Sequence, residues 1–216
     1  MPKLNESQQE FRRTRILDAA EICFARAGFH RTTMQDICRE AGVSAGALYL
    51  YFNSKEALIE GISARSREEV LVSFEMLRAS QDFVTGLAQV LQECILAKPV
   101  YKSALWLEIS AEASRNPVIS AMHRNCETHI RDALAALLEG AYRAGRIDPL
   151  LPIADVVDAM TVIADGLFLR RAVDPAFDAG LTGKAILAML AGVMRPAPAI
   201  STETPLTGLQ VAMEAM

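Results

Sequence analysis

Alternating apolar and polar runs, the mark of a half-buried strand, are almost missing from this chain of 216 residues. Their scarcity points away from sheet folds and leaves an all-helical protein. No apolar run is long enough to cross a bilayer. The opening MPKLNESQQEFRRTR is polar, with no apolar stretch behind its charges, so neither a membrane partner nor a signal peptide is expected. A cytoplasmic protein is expected instead. The four cysteines (Cys23, Cys38, Cys94, Cys126) form no CxxC pair, and buried thiols are the default reading in that compartment. No Gly-rich phosphate loop, HExxH motif or nucleophile–base pairing occurs, so no catalytic residue and no cofactor is expected. Strong net charge is also lacking: the total is −4. It is unevenly spread, however. Residues 1–55 carry eight Lys/Arg against six Asp/Glu, whereas the remainder carries fourteen against twenty. A mildly basic head on an acidic body is the asymmetry to follow.

What is present is helical periodicity nearly everywhere. Ile16, Ala20, Cys23, Phe24 and Ala27 form one stripe of a helix from about Gln8 to Ala27, with Gly28 as its left-handed stop. Thr32 is placed to cap the next helix, with Gln35 reaching back; that helix ends at Ala41 before Gly42. Ser44 caps a third, short helix through Tyr51 or Phe52, and Ser54 caps a fourth from Lys55 towards Ala79. Further helices are predicted over Asp82–Ala97, from Pro99 to about Arg115, and from Asn116-Pro117 to Ala144. Pro152 opens another over Ile153–Val173; a loop then leads to Lys184–Met194. RPAPAISTETP reads as a flexible linker.

Two short helices joined by Ala41-Gly42-Val43 have helix-turn-helix spacing. The second of them crowds Leu48, Tyr49, Leu50, Tyr51 and Phe52 together. At 100° per residue Leu48 and Phe52 share a face with Ala45 near them, a face that packs on the two preceding helices. Gly46, Ala47 and Leu50 lie opposite, flanked by Tyr49 and Tyr51. Small residues permit close approach to another surface, while tyrosines offer hydroxyls to phosphates and apolar atoms to a thymine methyl. Arg31, Thr32, Thr33 and Lys55 flank this helix with residue types that hold phosphates.

The stretch from ILDAA through FARAGFHRTT, ICREAGVS and GALYLYF to KEAL, about residues 13–62, strongly resembles the DNA-binding head of the TetR family of bacterial transcriptional regulators. The resemblance implies an all-α homodimer with a three-helix head and a six-helix ligand-binding and dimerising body. It implies release from a palindromic double-stranded operator when a small-molecule effector binds. It places Thr33, Ala45, Gly46, Ala47, Tyr49, Leu50, Tyr51 and Lys55 at DNA-facing positions, with Arg31, Thr32 and Ser44 beside them. Ala47 and Leu50 stand where some members carry more polar residues, so base readout leans on apolar contacts or on an arginine such as Arg31. The domains expected are 1–54 for DNA, 55–195 for ligand and dimer, and 196–216 as a flexible tail.

The segment from Ala104 to Ile147 resembles, more loosely, the body of the betaine-repressor-like branch. Ile153–Val173 is apolar almost all round except for Asp155, Asp158 and Asp165, so it needs cover on more than one side. Lys184–Met194 offers Ala185, Ala188, Ala191 and Gly192 for close helix crossing. The resemblance puts the homodimer interface on these two helices. Phe74, Phe83, Trp106, Met122, Met160, Ile163 and Phe168 are the candidate cavity residues. Glu108 and Glu112 sit beside Trp106, where charge and ring face together suit a lipophilic or aromatic cation; ion pairs with Lys102 and Arg115 are the competing reading. His123, Cys126 and His129 stand three apart, but the steps drift round the helix and no fourth ligand follows, so no metal is expected. Two other readings remain: an all-helical enzyme using the Trp106-lined cavity, which leaves the tyrosine helix unexplained, and a ligand-independent DNA-binding protein, which does not need so large an apolar body.

Overall fold

A computed structural model of the chain describes residues 6–197. Among the described residues lie nine α-helices and no strand. They are α1 (Glu6–Ala27), α2 (Met34–Ala41), α3 (Ala45–Tyr49), α4 (Lys55–Ala79), α5 (Phe83–Leu91), α6 (Val100–Ala113), α7 (Pro117–Arg143), α8 (Ile153–Val173) and α9 (Ala179–Met194). A π-helical turn, Gln92–Leu96, follows α5. Three helices of a head and six of a body thus match the architecture expected. The predicted tail lies, from residue 198 on, outside the described residues.

The chain divides into two compact units. One comprises the described residues up to Ser66 together with Pro99–Cys126; the other comprises Arg67–Lys98 with the described residues from Glu127 onward. In the first, Ile16, Leu17, Ala20 and Phe24 of α1 meet Ile37 of α2, Leu48 and Phe52, Leu58 and Ile62 of α4, and Leu105 and Ile109 of α6. The second has its own core, built from Phe74 and Leu77, Phe83 and Leu87 of α5, Leu134 and Leu138 of α7, Val156 and Val157 of α8, and Leu187 and Met194 of α9.

Most stops sit where the sequence put them. Gly28 and Gly42 take φ of 81° and 63°, the left-handed region that a Cβ disfavours. Four local expectations change. The third helix ends at Tyr49, before Tyr51 and Phe52. Thr33, not Thr32, caps α2: it is extended, its side chain accepts from the Asp36 N–H, and Asp36 rather than Gln35 reaches back. The helix after Asp82 stops being α-helical at Leu91, where the π turn begins. The carbonyls that end this turn are gathered by one guanidinium: Arg171 donates to Ile95, to Leu96 at 3.3 Å and to Lys98 at 2.8 Å. Finally, α9 starts five residues before Lys184, because the Asp178 carboxylate accepts from the Leu181 N–H and outweighs Gly180 and Gly183 inside the first turns.

Candidate nucleic-acid interface

The corner between α2 and α3 is held from three directions. Val43 N–H returns to the Cys38 carbonyl at 3.0 Å, closing the end of α2. Arg15, on α1, donates to the Ala41 carbonyl at 2.5 Å, and a Cβ on Gly42 would stand 3.1 Å from that guanidinium. Ser44 accepts from the Ala47 N–H at 3.2 Å and so caps α3. Leu48 is wholly buried and Phe52 nearly so, which pins one face of α3 to the first core.

The other face stands in water. Tyr49 is 53% exposed and Leu50 83% exposed, while Ser44, Ala45 and Gly46 are exposed and Ala47 and Tyr51 half-buried. Ala45 was expected near the buried face; its position in the first turn leaves it exposed instead. Nothing lies within 4 Å of the position a Cβ would take on Gly46. The start of α3 therefore presents bare backbone and methyl groups, followed by a phenol and a leucine. Leaving these in water costs apolar area, which a groove with methyls and phosphate oxygens recovers.

The flanking residues divide. Arg31 and Thr33 are exposed at the start of α2; Arg31 Nε donates to the Ala27 carbonyl at 3.0 Å, and the Thr33 hydroxyl donates to Asp36 at 2.6 Å. That hydroxyl and the Thr33 backbone hold the Asp36 carboxyl below its usual range. Thr32 does not fit the role expected of it. It is 2% exposed, and its hydroxyl donates to the Cys23 and Gly28 carbonyls at 3.1 and 2.7 Å, so its side chain is a structural strut. Lys55 also differs: its ammonium donates to the Phe29 carbonyl and rests 4.3 Å from the centre of the Phe29 ring, which turns it inward to the corner before α2. Arg15, not singled out from sequence, supplies one of the three ties on the corner. No local pattern announces a bond between positions 26 apart.

The residues expected to line one cavity are divided between the two units. Trp106, Glu108, Glu112 and Met122 belong to the first unit; Phe74, Phe83, Met160, Ile163 and Phe168 belong to the second. Phe74 and Phe83 are buried members of the second core, and Met160 packs against it, so these side chains build that core. Met122 packs against the first core, and Trp106, Ile163 and Phe168 are half-buried.

The two carboxylates beside Trp106 are taken up elsewhere. Glu108 accepts the Phe29 N–H at 2.6 Å, and a Cβ on Gly28 would come within 3.1 Å of it. Glu112 is 2% exposed and lies 2.9 Å from His30 Nε2 and 2.8 Å from Arg115 Nε, with the Asn116 amide at 3.3 Å. Burial alone raises the Glu112 carboxyl; the bonds from Arg115 and Asn116 and the charges of His30 and Arg115 outweigh it and hold the carboxyl below its ordinary value. The ion-pair reading thus holds for Arg115, whereas Lys102 pairs with the buried Glu21 at 2.5 Å. Of the proposed soft-metal trio, Cys126 Sγ donates to the Ser63 carbonyl, and no group of three His, Cys, Asp or Glu suited to a metal occurs among the described residues. A cleft of about 450 Å³ between α1 and α2 is lined by Cys23, Arg26, Ala27, Thr32, Asp36, Arg39 and Glu40. No described helix is long and apolar enough to cross a membrane.

Comparison with known proteins agrees with this geometry. Residues 16–62 match the model of bacterial regulatory proteins, tetR family, and residues 85–195 match that of the BetI-type transcriptional repressor, C-terminal. The HTH-type transcriptional regulator UidR of Escherichia coli (strain K12) is 36% identical over 149 residues, covering 69% of this chain and 73% of UidR. The HTH-type transcriptional repressor Rv1474c of Mycobacterium tuberculosis (strain ATCC 25618 / H37Rv) is 28% identical over 174 residues, 80% of this chain and 88% of that protein. Among solved structures, Salmonella enterica GusR superposes with a TM-score of 0.73 at 30% identity, covering 89% of this chain and 99% of GusR.

Proposed function

Because this chain belongs to the TetR family of bacterial regulatory proteins and is a DNA-binding transcriptional regulator, we propose that it is a homodimeric cytoplasmic repressor that leaves a palindromic operator when a small effector binds. The observation that carries the DNA half is the split of α3: Leu48 and Phe52 locked in the core, Ala45, Gly46, Tyr49 and Leu50 in water. We assign base-edge contact to Ala45, Gly46, Ala47, Tyr49 and Leu50, and phosphate contact to Arg31, Thr33, Ser44 and Tyr51. Lys55 acts one step back, holding the Phe29 and His30 carbonyls.

Dimerisation is assigned to α8 and α9. Val162, Leu169 and Val173 stand exposed on α8, and Leu181 and Met189 on α9, beside exposed Ala185 and Gly192. Two copies of such a surface bury one another isologously, and the resulting two-fold axis demands a two-fold operator.

The effector is assigned to α6. This helix holds the turn ahead of α2 through Glu108 and Glu112, so a ligand that shifts α6 also shifts Phe29 and His30. An effector that binds the DNA-free form about a hundredfold more tightly than the bound form weakens operator binding by about 2.7 kcal/mol. Selection of duplexes from a random pool tests the reading. The expected products carry a dyad, and their affinity falls steeply with salt as counterions are released. Selected duplexes without a dyad, or affinity indifferent to salt, would show the head misassigned.

A further inference from the structure

Set out at 100° per residue, α6 has two chemically different sides. Leu105 and Ile109 enter the first core, with Glu108 and Glu112 next to them. Ser103, Trp106 and Ser110 fall together on the opposite side. The hydroxyl oxygens of both serines are buried and neither has a hydrogen-bond partner; Ser103 is 0% exposed.

A helical serine ordinarily returns its hydroxyl to the carbonyl four residues back. Ser73 does so to Glu69, and Thr161 does so to Val157. Ser103 and Ser110 do not. The other two buried side-chain atoms without a hydrogen bond among the described residues, on Glu21 and Arg65, sit within ion pairs. A buried hydroxyl without a hydrogen-bond partner is destabilising, so a pair of them on one side of one helix calls for a reason.

We propose that Ser103, Trp106 and Ser110 recognise an uncharged, elongated effector with an apolar or aromatic middle and a hydrogen-bonding oxygen at each end. Seven residues at helical rise put the two hydroxyls about 10 Å apart, with Trp106 between them. The polar ends of the ligand satisfy the serines and its middle lies on the indole. Glu108 and Glu112 are engaged by Phe29, His30 and Arg115, so α6 offers no carboxylate to a cation here, which removes the basis for a cationic ligand. This inference rests on the effector reading of α6 above and names the chemistry of that effector.

The test uses the full chain and three probes: 4,4′-dihydroxybiphenyl, 4-hydroxybiphenyl and biphenyl. The two oxygens of the first stand about as far apart as the two serines. Trp106 is the single tryptophan, so its emission reports binding. In the wild type the diol should bind at least tenfold more tightly than biphenyl, with the mono-ol between them. In the double variant Ser103→Ala, Ser110→Ala the three should agree within about twofold. Without any probe, the double variant should melt at a higher temperature, because it loses two unsatisfied hydroxyls and gains no cavity. Equal affinities in the wild type, no binding of the diol, or a lower melting temperature in the variant would overturn the site. Should serine-dependent diol binding leave operator affinity unmoved, the site stands and release by this route fails. Should other compounds release the operator while the diol shows no preference, the site fails and release stands.

Discussion

Two of the surfaces that leave hydrocarbon in water, on α3 and on α8 with α9, are surrounded by different groups and suit different partners. On α3 the exposed set is small and mixed: Ala45, Gly46, a tyrosine and a leucine, set among Ser44, Thr33 and Arg31. On α8 and α9 it is aliphatic and long, with Val162, Leu169, Val173, Leu181 and Met189 beside small residues. The first is too narrow to hold a subunit by hydrophobic burial and is rich in hydroxyls and donors, which suits a polar groove lined with phosphates and methyls. The second has the small residues and breadth that suit another helix pair. Exposed apolar area alone names no partner; the groups around it show which kind would fit.

The comparison breaks most sharply at the second surface. Val162→Glu with Met189→Glu buries unpaired charges in the proposed interface, at a cost of several kcal/mol. Sedimentation at micromolar concentration should show a dimer for the wild type and a monomer for the variant, with operator binding lost alongside. A wild type that sediments as a monomer would overturn the assignment. Next in size comes the anchor of the first surface. Leu48→Ala opens a cavity under α3 and should destabilise the protein by about 2–5 kcal/mol in thermal or denaturant unfolding. A change below about 1 kcal/mol would mean that α3 is not held as described.

Between these and the smallest effect stands the exposed face of α3 itself. Tyr49→Ala with Leu50→Ala should weaken operator binding by roughly tenfold or more, about 1.4 kcal/mol. Mass in solution and melting temperature should stay at the wild-type values, because neither side chain carries the core. Binding unchanged in a filter or anisotropy titration would take base contact away from these two residues.

Most of the fold was legible in the sequence because helix ends are local. Gly28, Gly42, Gly145, Pro152, Ser44 and Ser54 act within one turn, and each stop or cap falls where local chemistry puts it. Where two caps compete locally, as with Thr32 and Thr33, sequence does not decide, since the tertiary partner of Thr32 is a carbonyl of α1. The split of α3 was legible for a different reason: Leu48 and Phe52 share a face by periodicity alone. The duties of Lys55, Glu108 and Glu112 were not legible. Apart from Arg115 and Asn116, within one turn of Glu112, their partners are 25 or more positions away and are backbone groups and a histidine, so proximity to Trp106 along the helix misled. Charge beside an aromatic residue marks a ligand only if nothing else in the fold claims the charge first.

That last point yields the smallest expected effect. Glu112 is buried against Arg115, Asn116 and His30, and its carboxyl lies below the ordinary value in the folded protein. A carboxyl lowered by folding stabilises the folded state at every pH above its unfolded value, about 4.3. This contribution fades as pH falls below that value and is gone below the folded one, where both states carry the proton. Glu112→Gln keeps the shape and removes the charge, so it exchanges charged hydrogen bonds for neutral ones, a loss on the order of 1 kcal/mol at pH 7. Unfolding in urea at pH 7 and at steps below pH 5 should therefore show the variant less stable at neutral pH and the gap closing on acidification. The same variant loosens one of the two ties between α6 and the turn ahead of α2, so operator affinity should fall by less than the α3 double variant causes. A gap that is constant with pH would mean that the Glu112 carboxylate contributes no charge interaction to the folded state. A gap that closes while operator affinity stays at the wild-type value would leave Glu108 as the tie that matters.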